Sequence, residues 1–167
     1  MAKKQAHGRW KVLEHGPLEE LSGNLWRVDG AVPKMALRRN MVVARLGDGR
    51  LVVHNAIALR EGEQRKLEAW GEPAFLLVPS GYHRLDAFAW KARYPKVVVL
   101  APRGSRAKVD EVVRTDGAYE DLPANDAVRL RTLRGVKERE GAMLVTSPDG
   151  TSVVLNDVVF NLSLIHI

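Results

Sequence analysis

The chain has 167 residues, 46% of them hydrophobic and 28% charged, enough for one soluble domain with a real core. It has no cysteine, which excludes disulfides and thiolate metal sites. The net charge of +6 could attract nucleic acid, but Arg38, Arg39, Arg60, Arg65, Arg103, Arg106, Arg129, Arg131 and Arg134 are scattered rather than blocked, which fits a solvated basic surface better than a phosphate-binding face.

Residues 1–20 are polar and read as a loosely held lead-in. The basic start MAKKQAHGRWK has no apolar segment after it, so no secretory signal is read; no run approaches a membrane span, and a cytoplasmic location is expected. NLWRVDG (24–30) alternates as a strand does. Residues 35–56 read as a hairpin, MVVARL and RLVVHN joined by GDG, which supplies positive-φ residues. Residues 60–71 are helical in composition, with Leu67 and Trp70 inward and Gly71 as C-cap.

The run at 73–79, PAFLLVP, is continuously apolar, as a strand buried on both faces is. The period then changes: Leu85, Phe88, Ala89 and Ala92 recur at helical spacing over 83–93. A second buried strand, KVVVLAP (96–102), precedes a helix over 105–115 that carries Val109, Val112 and Val113. Strand, helix, strand, helix argues for a parallel βαβ unit. After a polar loop at 116–126, AVRLRTL (127–133) alternates, and 142–157 reads as a hairpin turning at PDG. The whole is mixed α/β.

The last residues stand apart. LSLIHI, Leu162–Ile167, matches the translation of a transposase adaptor used in shotgun sequencing libraries. The expectation is that natural sequence stops near Asn161, that His166 carries no function, and that the domain (21–161) is incomplete and leaves apolar surface uncovered.

The loop after the first buried strand, PSGYHRLDAFAW, holds His83 and Asp86. On a first helical turn two residues three apart face the same side, and an imidazole with a carboxylate can ligate zinc, iron or manganese. Each also has a plainer reading. His83 can be a helix-entry residue with a satisfied hydrogen bond, and Asp86 suits a helix N-terminus without any metal. Asp157 can cap a turn, and His54, in VVHNA, reads as a structural histidine near the pocket. Trp90 and Tyr94 read as packing for the helix, Trp10 as a local anchor, and PRGSR (102–106) as a weak anion nest.

In order, MVVARLGDGRLVVHNAIAL, FLLVPSGYHRLDAFAWKARYPKVVVLAPRG, TDGAYEDLP and TSVVLNDVVFN resemble an uncharacterised branch of the metallo-β-lactamase-like proteins, over about residues 24–161. The resemblance implies an αββα metallo-hydrolase sandwich with mixed sheets, cut short at the C-terminus, and metals at the strand ends between the two sheets. Against the H-x-H-x-D-H motif, with His83 at its second histidine, Gly81 and Leu85 replace the first histidine and the aspartate, and Asp86 replaces the last histidine. Asp157 matches an aspartate able to bridge two metals. Glu138 or Glu140 falls near the place of another ligand. The implied ligand set is therefore His83, Asp86 and Asp157.

The expectation is a metallo-β-lactamase-like protein acting on an unnamed small molecule, if active as a metal-dependent hydrolase using metal-activated water. The alternative is a non-catalytic binding or scaffold protein that keeps the sandwich with a degenerate metal site; a nucleic-acid binder rests on charge alone.

Overall fold

In the computed structural model, residues 6–159 are described; the adaptor-like tail and His166 lie outside them. The strands and helices are β1 (Glu19–Ser22), β2 (Leu25–Val32), β3 (Met35–Arg45), β4 (Arg50–His54), α1 (Glu61–Trp70), β5 (Glu72–Leu77), α2 (Ala87–Arg93), β6 (Val98–Ala101), α3 (Arg106–Asp110), β7 (Gly117–Ala118), β8 (Val128–Thr132), β9 (Gly141–Ser147) and β10 (Gly150–Val154).

Seven strands form one sheet in sequence order, β1 to β7. Pairings are antiparallel as far as β4 and parallel from β4 to β7. The parallel half needs crossovers, and α1, α2 and α3 supply them. The other three strands make a small antiparallel sheet, ordered β10-β9-β8.

Strand alternation sends side chains to two cores. Leu51, Val53, Leu76 and Val99 face the helices and pack with Leu67, Trp90 and Val109. Val52, Phe75, Leu77 and Leu100 face the other way and meet Val128, Leu130, Met143 and Val145 of the small sheet. The order is helices, large sheet, small sheet. On the outer face of the small sheet Arg129, Arg131 and Val153 are exposed, and among the described residues no helix covers it.

Two glycines hold the layers by close approach. Gly71 does end α1, its amide bonding the Leu67 carbonyl at 3.1 Å. Its backbone is extended, with φ 179°, so no left-handed turn demands glycine. Space does: a Cβ would stand 2.4 Å from the Gly49 carbonyl oxygen. At Gly141 a Cβ would lie 2.0 Å from the ring of the buried Tyr119. By contrast Gly49, in the GDG turn, has φ +86°, as that turn requires.

The lead-in is fastened rather than loose. His15 bridges to Gly30, and Leu18 is buried. The Trp10 indole N–H donates to the Leu59 carbonyl at 3.1 Å. His15 Nε2 accepts from the Arg60 amide at 2.9 Å, and its Nδ1 donates to the Gly16 carbonyl at 2.6 Å, which fixes a neutral tautomer. The partners are remote in sequence, so no local pattern announces this attachment. No helix among the described residues is long and apolar enough to cross a membrane.

Candidate functional site

The parallel strands β4, β5 and β6 end at one edge of the large sheet, where open α/β sheets place their ligands. β5 ends at Leu77, and the chain turns through Ser80–Asp86 before α2 starts at Ala87. This turn is pinned from α3. The Gly81 amide donates to Ser105 Oγ at 3.1 Å. The Arg84 guanidinium donates to the Lys108 carbonyl and, at 3.0 Å, to Glu111. The approach leaves no room at position 81, where a Cβ would meet Lys108 Cγ at 2.7 Å. A histidine in the first motif position would collide with α3.

Across this edge lies the end of the β9–β10 hairpin. Its pairing runs from Gly150 with Ser147 to Val154 with Met143, and the chain then turns at Asn156–Asp157. From there Asp157 reaches the turn: His83 Nε2 and Asp157 Oδ1 are 2.9 Å apart, across 74 residues of sequence. Both are partly open, with side chains 22% and 39% exposed. Burial pushes the Glu140 carboxyl up to about 7, nearby Asp157 adds to this, and a Ser80 hydrogen bond opposes it. Beside the pair, a cleft of about 330 Å³ is lined by Ser80, Gly81, Ser105, Lys108, Arg139 and Glu140.

Asp86, expected beside His83 and Asp157, stands apart from this group. α2 begins only after it, so His83 and Asp86 share no helical face. The carboxylate is wholly buried. Its Oδ2 takes the Arg39 guanidinium and the Ala58 amide at 3.0 Å, and its Oδ1 meets His7 Nδ1 at 2.6 Å. A carboxylate so deeply buried needs paired partners, and those partners draw it inward, away from the site edge. Among the described residues no three His, Cys, Asp or Glu side chains are gathered tightly enough to hold an ion as they stand.

His54, read as structural from the sequence, stands at the site edge. It ends β4 two residues after Val52, so alternation aims it between the sheets. It is 1% exposed, and among the described residues neither ring nitrogen has a hydrogen-bond partner. The signal was present in the sequence: a histidine in the register of residues that face the inter-sheet core. Burial, with a smaller contribution from His83, pushes its imidazole down to about 3. The unfolded chain takes a proton at that ring near the ordinary imidazole value of 6.5, and the folded one refuses it until about 3. This contribution to stability is therefore full above pH 6.5 and is lost as pH falls towards 3. In metal-free buffer, urea unfolding of a His54→Leu variant should be less sensitive to acid than that of the native chain between pH 7 and 5; equal slopes would contradict the assignment.

No protein-family model matches the sequence, and neither does any curated protein. Among solved structures, a metallo-β-lactamase from Hirschia baltica aligns over 84% of this chain and 68% of its own, at 14% identity and TM-score 0.47. The DIM-1 metallo-β-lactamase, in a structure exposed to ceftazidime, aligns over 87% of this chain and 67% of its own, at 14% identity and TM-score 0.50. The chain has a metallo-β-lactamase-like fold. At this identity the likeness speaks for architecture alone. Within the metallo-β-lactamase-like sandwich, His83, Asp157, Glu140 and His54 occupy the strand-end edge, while Asp86 serves the interior.

The donor set fits one ion better than two. An imidazole nitrogen and a carboxylate oxygen bound to one ion at zinc-like bond lengths lie about 3.0–3.4 Å apart. The His83–Asp157 separation of 2.9 Å is close to that edge. The unpartnered nitrogens of His54 are buried donors without another use among the described residues.

Proposed function

We propose that this metallo-β-lactamase-like protein is a metal-dependent hydrolase of a small molecule, with His83 and Asp157 among the residues that hold one divalent ion. The supporting observation is the meeting of His83 Nε2 and Asp157 Oδ1 at 2.9 Å, from distant segments, at the sheet edge. Neutral imidazole with carboxylate suits zinc, iron or manganese. Such an ion supplies Lewis-acid polarisation of a carbonyl or phosphoryl oxygen and lowers the pKa of water.

The chain's own groups do the rest. Before an ion binds, Asp157 holds the His83 ring at the sheet edge through Nε2. Glu140, titrating near neutrality, can hold a proton at its carboxyl and deliver it to a leaving group. The cleft wall carries both signs of charge, Lys108 and Arg139 with Glu111 and Glu140, and Lys108 pairs with Glu111 at 3.2 Å. The other reading, a non-catalytic binding protein, draws support from Asp86, whose oxygens are all taken in the interior.

Elemental analysis and calorimetric titration with Zn²⁺ and Mn²⁺ test the proposal. About one ion per chain should bind, and a His83→Ala variant should lose it while staying folded. A folded native protein that binds neither ion favours the binding reading.

A further inference from the structure

We infer that His54 is a ligand of the same ion, completing a set of two histidines and one carboxylate with His83 and Asp157. The inference deepens the hydrolase reading and rests on its requirement for an ion. A wholly buried imidazole with both nitrogens unpartnered is costly, because each polar atom has lost water without gaining a partner. Most buried histidines are satisfied by a carbonyl or carboxylate. His15 in this chain has both nitrogens partnered, one by the Gly16 carbonyl and one by the Arg60 amide. Among the described residues His54 is the exception, and it ends β4 opposite Leu77, the end of β5, from which the His83 turn departs.

Its position is rigid. β4 pairs on both sides, with Val42 and with Leu77 opposite His54. The next residue, Asn55, has φ 54°, in the left-handed region that asparagine tolerates. Asn55 is tied by its amide to the Leu77 carbonyl at 3.0 Å and by its side chain to the Asn40 carbonyl at 2.8 Å. The more accessible partners are the other two. His83 and Asp157 are partly exposed and bonded to each other. Because no three donors are yet gathered, binding requires side-chain rotation that exchanges their mutual hydrogen bond for two bonds to the cation.

Two sets of measurements separate this role from that of a buried bystander. A His54→Leu variant removes two unpartnered nitrogens, so the metal-free protein should be at least as resistant to urea as the native chain. Its affinity for Zn²⁺ should nevertheless fall on the order of 100-fold or more, since loss of a residue that merely supports a ligand already costs about 10–100-fold. In the native protein, the ring ¹⁵N resonances of His54 should shift on adding one equivalent of Zn²⁺, a readout that survives even if the variant does not fold. If Zn²⁺ binds, is lost in His83→Ala, and is unaffected by His54→Leu with the His54 resonances unmoved, the inference fails and the hydrolase reading stands. If the native chain binds no ion, both fail.

Discussion

Replacing Asp86 with alanine should lower the unfolding free energy by about 3–5 kcal/mol, the cost of stranding a buried charge. Arg39 is the group stranded: its side chain is 7% exposed, and its Nε already has no partner among the described residues. The same substitution frees the Ala58 amide and the His7 ring. Urea unfolding measures the effect, and a loss under about 1 kcal/mol would remove the structural role assigned to this carboxylate. The double variant Asp86→Leu with Arg39→Met should recover much of the loss, because exchanging a buried ion pair for apolar side chains is often neutral. Zn²⁺ affinity of the folded Asp86→Ala protein should match the native value, which separates an interior brace from a metal ligand.

Trp90→Ala should cost a similar amount, about 3–5 kcal/mol. The indole is fully buried, with ring centroids 5.5 Å from Trp10 and 5.2 Å from Tyr94. Its N–H donates to the Ile57 carbonyl at 3.0 Å. Trp90→Phe should cost less, since it keeps most of the packing and loses mainly that bond and part of the ring volume. Equal losses for the two variants, measured by urea midpoint, would show that packing is not the main contribution.

These two residues serve one segment. Asn55 to Leu59, the stretch after β4, is buried although it belongs to no helix or strand. Buried irregular backbone must find partners for its polar groups. Here side chains provide them: Arg39 to the Ala56 carbonyl at 3.2 Å, Trp90 to Ile57, Asp86 to the Ala58 amide, and Trp10 to Leu59. Loosening this segment would free the residue that follows His54.

Much of the architecture was readable. β5 beyond Glu72 and β6 beyond Val98 read as continuous apolar runs because both sheet faces are covered there, and the hairpin of β9 and β10 was marked by its PDG turn. β1 and β7 were not readable, since EELS and GA hold their places through backbone pairing that leaves no side-chain pattern. The helix expected from residue 83 begins at Ala87, because the preceding turn is bent by contacts to α3 and to the interior. Asp157 as a neighbour of His83 could be found from the order of motifs. The fate of Asp86 could not, because Arg39 lies 47 residues away and nothing in the loop itself refers to it.

His83 and the hairpin residue it touches are separated by almost half the polypeptide. A chain made from its N-terminus can lay down the seven-stranded sheet, with His54 and His83 already in place, before the last hairpin exists. Asp157 then arrives with the small sheet, as that layer settles over the inter-sheet core. Chains that stop short of the β9–β10 hairpin would carry the two imidazoles without this carboxylate.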